Sequence, residues 1–390
     1  MKTIRRHDID WIRVIAIWLL LIYHVAIVFQ PWAMFFGFIR SNELIVNLWK
    51  PMTMLNVWRI PILFYVSGMG VYFAIMKRNW KQLLLERSKR ILLPFIFGLF
   101  AITPLHMFIF QDYYEMPLGY IPHTGHLWFL GNIFCYVLLA SPLFFYLKKN
   151  TNSWFTKGLT SLMRHPSGPL SITIFFVIEV LIVKPGLFEL YAETLHGFFL
   201  GLLAFIFGFL VVYEGKTFWE TVEKWRWLYI GLAVILYTLR LAIFETAPLS
   251  YLTAIESNLW IFGFFGMGYK YLNRPSSVLS YLSQAAYPVY IIHMFVLYAG
   301  AFLILPLEIP VFLKFILVVA FTMIICYLIY EILIKRIGIF KSLFGLKWEP
   351  NIANMVTEPA AVSGHIEIAK TTEVAEPAEA TDSKLPSTSS

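Results

Sequence analysis

The sequence predicts an all-α membrane protein, a polytopic bundle of about ten transmembrane helices with both termini in the cytoplasm. Hydrophobic residues make up 59% of the 390 residues and charged residues only 14%, whereas a soluble domain carries roughly 25% charged residues. Apolar runs that reach the roughly 20 residues needed to cross a bilayer recur along the chain. Basic residues concentrate in every second connection between these runs. Together these observations indicate that lipid is the natural surroundings of the chain.

Ten apolar segments define the predicted helices, and a polar tail follows them. We place the segments at 9–29, 52–76, 91–111, 127–147, 169–184, 195–214, 227–245, 252–272, 281–305 and 311–334. The composition changes near residue 348, where Ala, Glu, Thr, Pro and Ser replace the aromatic residues. Such a tail cannot bury enough apolar surface to offset its ordering entropy. We therefore predict a membrane domain at 1–347 and a disordered cytoplasmic tail at 348–390.

The distribution of basic residues gives the orientation. With the N-terminus in the cytoplasm, the inner segments contain 22 Lys and Arg and the outer loops contain 4. Cytoplasmic connections carry this excess in membrane proteins, so the rule selects this orientation. The same topology accounts for the net charge of +8, and we therefore predict membrane lipid, and no nucleic acid, as a partner.

The first apolar segment carries an unusual set of ionisable residues: Asp10, Arg13 and His24. Asp10 and Arg13 are three positions apart, which allows an ion pair on one helix face. Arg13 and His24 are eleven positions apart, so they lie within roughly 20° of each other and about 16 Å apart along the axis. Arg13 is then near the cytoplasmic surface and His24 near the middle of the membrane. Charged groups at such depths are costly and usually functional.

Two interpretations of this stripe remain open. Asp10 and Arg13 can be interfacial charges, and His24 can be a packing histidine. Alternatively, a neutral imidazole at mid-membrane depth is well suited to act as a general base near neutral pH. The latter hypothesis is favoured for His24, because a histidine at that depth needs a partner or a cavity.

Five segments together resemble one known family, and they occur in its order and at its topological positions. The family opens its first helix with a similar Asp-x-x-Arg and His pattern. The corresponding stretches here are Asp10 to His24, Phe64–Gly68 (FYVSG), Glu86–Phe95 (ERSKRILLPF), His126–Leu130 (HLWFL) and Tyr287–His293 (YPVYIIH). The chain thus resembles the acyltransferase-3 family of membrane O-acyltransferases over roughly residues 5–335. Trp58 and Arg59 add a similarity to the branch that includes the succinyltransferase of periplasmic glucans.

The resemblance implies an enzyme of the bacterial cell inner membrane that transfers acyl groups. The donor would be acyl-coenzyme A, acetyl or succinyl, as a co-substrate rather than a bound cofactor. The acceptor would be a hydroxyl of a cell-envelope carbohydrate or a related glycan. No motif for a metal site is present, such as HExxH or a close His/Asp/Glu cluster, so we predict no metal.

The resemblance also implies roles for particular residues. The catalytic set would be His24 as general base on the acceptor hydroxyl, with Arg13 and Asp10 beside the donor. An acyl-histidine relay is the alternative for His24. The substrate-binding set would be Arg59, Ser67, Arg87, Lys89, Arg90, His126, Trp128, Tyr287, Tyr290 and His293.

Most of these substrate-binding residues also have an ordinary structural interpretation. Arg87 and its basic neighbours can bind coenzyme A phosphates or simply form a positive inner loop. Arg59 can hold an acidic acyl group or a sugar, or extend to the surface. Trp128 can stack on a sugar or belong to an interfacial belt. His293 can meet the first helix as a polar contact or pack against a neighbouring Tyr.

Two other functions compete with the acyltransferase at this stage. A ten-helix bundle could export a polar solute or an envelope polymer past Arg13, His24 and His293. The absence of inverted repeats and of paired broken helices speaks against a transporter. The chain could also be a non-catalytic subunit whose charges serve only helix association.

Overall fold

The structure is a computed structural model that describes residues 6–151, 153–243 and 249–347. All regular elements in these ranges are helices, which confirms the all-α prediction. The predicted tail at 348–390 lies outside the described residues. The helices are α1 (His7–Val28), α2 (Trp49–Ile75), α3 (Trp80–Arg87), α4 (Leu93–Phe97), α5 (Thr103–Tyr113), α6 (Trp128–Lys149), α7 (Trp154–Met163), α8 (Ser167–Val183), α9 (Leu195–Tyr213), α10 (Thr217–Ala242), α11 (Ser250–Tyr271), α12 (Ser277–Ile304), α13 (Val311–Ile329) and α14 (Gly338–Leu343).

Each predicted transmembrane segment coincides with helix, apart from the end of 227–245, which reaches into residues that are not described. Seven helical stretches of the described chain are long and apolar enough to cross a membrane. An eighth arises if α7 and α8, which meet at 108°, form one broken span. The other two predicted segments fall in α10 and α11, which are 26 and 22 residues long but carry more polar and charged residues. The count of ten crossings and the cytoplasmic termini therefore stay predictions.

The third predicted segment is part of a longer rod. Residues Trp80–Tyr113 form a helical stretch of 34 residues that is interrupted by π-helical turns at Ser88–Leu92 and Gly98–Ile102. Each wide turn ends two residues before a proline, Pro94 or Pro104. A proline ring clashes with the carbonyl of the preceding turn and removes a donor. The wider turns absorb both defects without ending the rod.

A close crossing between α2 and α9 lies at the centre of the bundle. A Cβ atom added to Gly68 would lie 1.9 Å from the carbonyl oxygen of Phe205, and one added to Gly208 would lie 2.0 Å from that of Tyr65. Glycine therefore lets the two backbones touch, as small residues do between membrane helices. The FYVSG segment owes its glycine to this crossing.

A buried ion pair and a buried Glu–His contact join further helices. Arg240 of α10 donates from Nε and Nη2 to Glu256 of α11 at 2.8 and 3.0 Å, and from Nη1 to Glu189 at 3.1 Å. Glu179 of α8 contacts Nδ1 of His196 of α9 at 3.0 Å. Buried charges are tolerated when they are paired in this way, and these pairs fix the order of helices behind the candidate site.

Candidate active site

A large cavity lies at the end of the bundle where α1 ends. Its volume is about 1080 Å³, which is at the upper end of the range for small-molecule sites. Its walls come from α1, α2, α5, α12, the start of α6 and the connections around 32–50, 123–125 and 187–193. His24 of α1 and Arg59 of α2 both line it. The cavity is thus assembled from distant parts of the chain around two predicted site residues.

His24 is joined to His293 of α12. Nδ1 of His24 lies 2.8 Å from Nε2 of His293, and the two rings are stacked almost parallel at 5.1 Å. Nδ1 of His293 lies 2.6 Å from the carbonyl oxygen of Tyr290. Both alternatives considered for His293 therefore apply, because it contacts the first helix and also packs against Tyr290.

These contacts determine which ring nitrogen of His293 and of His24 carries a hydrogen. A carbonyl oxygen only accepts, so Nδ1 of His293 carries a hydrogen and Nε2 of the neutral ring is an acceptor. Nδ1 of His24 must then be the donor to His293. The remaining nitrogen of His24, Nε2, keeps its lone pair, and no hydrogen bond from the described residues uses it. His24 therefore has a basic Nε2 in a ring that lines the cavity, and the tautomer of this ring is set by His293 behind it.

Three further histidines surround this pair: His126, His106 and His123, all of which line the cavity. Nε2 of His126 donates to the carbonyl oxygen of Ile291 at 3.0 Å, and its ring packs edge-on against His293 at 4.8 Å. Its Nδ1 is buried and has no hydrogen-bond partner in the described chain. Burial lowers the pKa of His123, in the connection before α6, and nearby Glu193 only partly offsets this. His123 is therefore neutral at neutral pH.

The histidines do not form a recognisable metal centre. Within the described ranges, no group of three or more His, Cys, Asp or Glu side chains could hold a metal ion. The carboxylate of Glu193 instead accepts a hydrogen bond from Thr124, which links two connections at the mouth of the cavity. The imidazoles thus act as polar groups on the wall.

Arg59 faces the same cavity and is only 2% exposed. Its guanidinium lies 3.8 Å above the ring of Tyr23, and Nη2 donates to the side chain of Asn56 at 3.2 Å. Nε and Nη1 have no hydrogen-bond partner among the described residues, and the cavity carboxylate of Glu189 is paired with Arg240. Burial contradicts the alternative in which Arg59 extends to the surface. Two donors of this buried cation are therefore left without a hydrogen-bond partner from the described chain.

Other predicted site residues lie away from the cavity. Arg13 pairs with Asp10 at 2.9 Å, as predicted, but it is 40% exposed and does not line the cavity. Ser67 donates to the carbonyl oxygen of Leu63 at 2.7 Å within its own helix. Tyr290 supports the site indirectly, because its hydroxyl donates to the carbonyl oxygen of His126.

The predicted basic cluster forms around one carboxylate. Arg90 and Arg87 lie 3.2 and 3.6 Å from Glu86, and Arg78 lies 3.6 Å from the same group. Lys89 is exposed beside them. None of these basic residues lines the cavity. Tyr287 is also separate from it and packs near Gly345.

Sequence reasoning missed several residues on the cavity wall, including His106, His123, Trp32 and Trp49. His106 lies inside a predicted span, where an ionisable residue is itself a functional signal. The other three lie in or beside connections, where no periodicity shows which way a side chain points. Trp128, predicted at the outer mouth of its helix, does line the cavity.

A helical membrane bundle with a histidine pair and a buried arginine at one cavity is compatible with a membrane transferase, and comparison with known proteins identifies the family. The family model described as an acyltransferase domain, of the acyltransferase-3 type, matches residues 6–331. The chain belongs to this family and is a multi-pass membrane acyltransferase.

The similar curated proteins narrow the class. The chain is 26% identical over 385 residues to glucans biosynthesis protein C of Escherichia coli (strain UMN026), covering 88% of this chain and 95% of that protein. The protein of the same name from Escherichia coli (strain SMS-3-5) matches to the same extent. The resemblance to the glucan branch seen in the sequence is thereby confirmed. No solved structure matches the chain.

Proposed function

We infer that the protein transfers an acyl group from acyl-coenzyme A to a hydroxyl of a glycan in the inner membrane of a bacterial cell. The observation that carries this proposal is the fixed tautomer of His24, because it leaves Nε2 unprotonated on the cavity wall. General bases of this type supply about 10²–10⁴-fold in rate. The name of the similar curated proteins, which refers to glucans, supports a glycan acceptor.

In the proposed reaction, His24 first accepts and then returns a single proton. Nε2 of His24 takes the proton of the acceptor hydroxyl while the oxygen attacks the thioester carbonyl. The resulting imidazolium is stabilised by His293, because the positive charge is shared across the 2.8 Å contact. As the tetrahedral intermediate collapses, the carbon–sulfur bond breaks and the thiolate recovers the proton from His24. An ester and free coenzyme A leave, and the histidine pair returns to its starting tautomer.

Arg59 favours a donor whose acyl group ends in a carboxylate, such as succinyl. A buried guanidinium with two unused donors is costly unless a ligand supplies negative charge. An acetyl group would offer only the developing oxyanion, whereas a succinyl group would offer a full carboxylate. The coenzyme A phosphates would bind at the opposite end, near Arg87, Lys89 and Arg90.

The test measures release of free coenzyme A by purified protein in nanodiscs, with acetyl- and succinyl-coenzyme A as donors. We expect release by the wild type, a loss of about 100-fold or more in His24→Ala, and a preference for the succinyl donor. His165→Ala is the matched control, since His165 is exposed and does not line the cavity. Equal rates for His24→Ala and the wild type would remove His24 from the chemistry.

A further inference from the structure

One wall of the cavity is built from four aromatic rings in a file: Tyr23, Trp49, Trp32 and Phe36. Neighbouring ring centroids are separated by 5.3 Å, 4.5 Å and 5.3 Å in that order. All four residues line the cavity. The file begins beside the base, because the rings of Tyr23 and His24 lie 5.8 Å apart. It ends at Phe36, whose ring is 53% exposed at the rim.

Polar groups accompany the rings. Asn47, Lys50 and Asn56 line the same region of the cavity. Trp32 and Trp49 are half-buried, and neither indole N–H donates to another described residue. The wall therefore combines aromatic rings, inclined to their neighbours by 44°, 79° and 81°, with polar side chains, the mixture that gives a binding site both area and orientation.

This combination matches the two surfaces of a sugar ring. A pyranose has a face of C–H groups that stacks on an aromatic ring and a rim of hydroxyls that bonds to amide and indole groups. We propose that the aromatic wall of Tyr23, Trp49, Trp32 and Phe36 is the acceptor subsite, which binds consecutive sugar rings of a glycan and presents one hydroxyl to His24. This inference rests on the proposed function and adds where the acceptor lies.

The surroundings of the wall favour a glycan over a lipid chain. Aromatic residues of a membrane belt face lipid and are therefore exposed on the protein surface, as Trp154 is with 85% exposure. The rings of the wall instead pack on one another inside a cavity, and the guanidinium of Arg59 lies directly over Tyr23. An acyl chain laid along the file would meet this charge at its inner end, whereas a sugar hydroxyl can bond to it.

The test uses a linear β-linked glucose oligosaccharide as acceptor, with whichever acyl-coenzyme A the wild type accepts. We expect Trp49→Ala and Trp32→Ala to raise the KM for the oligosaccharide about tenfold each. The KM for the donor should change much less than the KM for the oligosaccharide. Trp49→Phe, which keeps a ring, should recover most of the affinity. Trp154→Ala should change none of these quantities.

Three results would overturn the inference: an unchanged acceptor KM, a rise in the donor KM instead, or an equal effect in Trp154→Ala. Thermal unfolding of each variant checks that it folds. Phe36→Ala provides a further test if the tryptophan variants are unstable, because its exposed ring contributes little to packing.

A second measurement separates this inference from the proposed function. Saturation-transfer NMR detects contact between the oligosaccharide and the wild-type protein without any donor present. Signals on the sugar ring protons that vanish in Trp49→Ala support the subsite even if no coenzyme A is released in the other assay. Absence of such signals with the wild type would overturn the subsite, whatever the outcome for catalysis.

Discussion

The two ends of the bundle treat positive charge in opposite ways. At the end where α3 begins, Arg78, Arg87 and Arg90 converge on Glu86. At the cavity end, the guanidinium of Arg59 is buried with two donors unused by any described residue. In the first region each of the three arginines lies near a carboxylate of the chain, whereas Arg59 has no such partner within the described ranges.

This difference predicts different roles in ligand binding: the basic cluster attracts an anion, whereas Arg59 selects the ligand that enters the cavity. A cluster of partly exposed basic groups that outnumber the carboxylate beside them can attract an anion from solution, but salt screens it and each exposed residue contributes little. A buried donor without a partner selects a ligand much more sharply, because the ligand replaces a missing interaction. We therefore expect large, chemistry-specific effects at the cavity and small, salt-dependent effects at the basic cluster.

The largest effect is expected from His293→Phe, which removes the acceptor that fixes His24. Without it, Nδ1 of His24 loses its partner and the ring is free to adopt the other tautomer, so kcat should fall about 100-fold. His293→Gln supplies an amide oxygen to the same N–H and should restore kcat to within about tenfold of wild type. Rates of coenzyme A release across pH 5–9 make the comparison.

Rescue by glutamine is the decisive part of that experiment. If His293→Gln and His293→Phe lose the same activity, the second histidine has a role other than setting the tautomer. A shift in the pH profile of His293→Gln with little loss in KM would support the sharing of positive charge between the two rings.

Arg59→Met should lower activity and leave stability intact. Methionine fills the same space without a charge, so the melting temperature should stay level or rise. The kcat/KM for succinyl-coenzyme A should fall about tenfold or more, since bonds to a charged group are worth roughly 1.5–3 kcal/mol. Acetyl-coenzyme A should be affected less. Arg40→Met is the control, because Arg40 is exposed in the connection after α1. A loss of melting temperature in Arg59→Met would indicate a structural role.

Gly68→Ala tests whether the FYVSG segment serves packing. The added Cβ would collide with the backbone of Phe205, so the free energy of unfolding should fall by about 1–3 kcal/mol. Gly70→Ala is the matched control two residues away, where nothing lies within 4 Å of the new atom. Denaturant titration of both variants in detergent gives the values. Equal stability of the two variants would contradict the close crossing.

The smallest effect is expected from Lys89→Gln. An exposed lysine that contacts coenzyme A phosphates should lower the KM for the donor only about twofold, and less as salt increases. Loss of the side chain should therefore raise this KM slightly at low ionic strength. Lys157→Gln, on α7, is the control because Lys157 is also exposed. An effect that persists unchanged at high salt would argue for a specific contact.

Sequence alone established the helices and one key pair. Apolar length and flanking charge located every predicted span on a helix, because the bilayer sets helix length independently of tertiary packing. The contact of His24 with His293 was one of the two alternatives that the sequence left open for His293. The pairing of Arg13 with Asp10 followed from helical spacing. These predictions rest on periodicity and depth, both of which a sequence records.

The sequence did not predict features that depend on packing between helices, such as which residues line the cavity. Trp32 and His123 reach the cavity from connections, and their directions are set by neighbours distant in sequence. Arg59 could equally have extended to the surface, and only its burial under α1 decides against this. The 108° angle between α7 and α8 is also invisible in composition. Physical contact between helices, rather than local preference, decides each of these.

The glycine crossing of α2 and α9 has a consequence for motion. Where two backbones touch at Gly68 and Gly208, no side chain lies between them to change rotamer and let one helix slide past the other. We expect α2 and α9 to move as one rigid body. Arg59, which belongs to α2, then keeps its position relative to α9. Any motion that admits substrate or releases product is then expected in the connections at the mouth of the cavity, where Thr124 contacts Glu193.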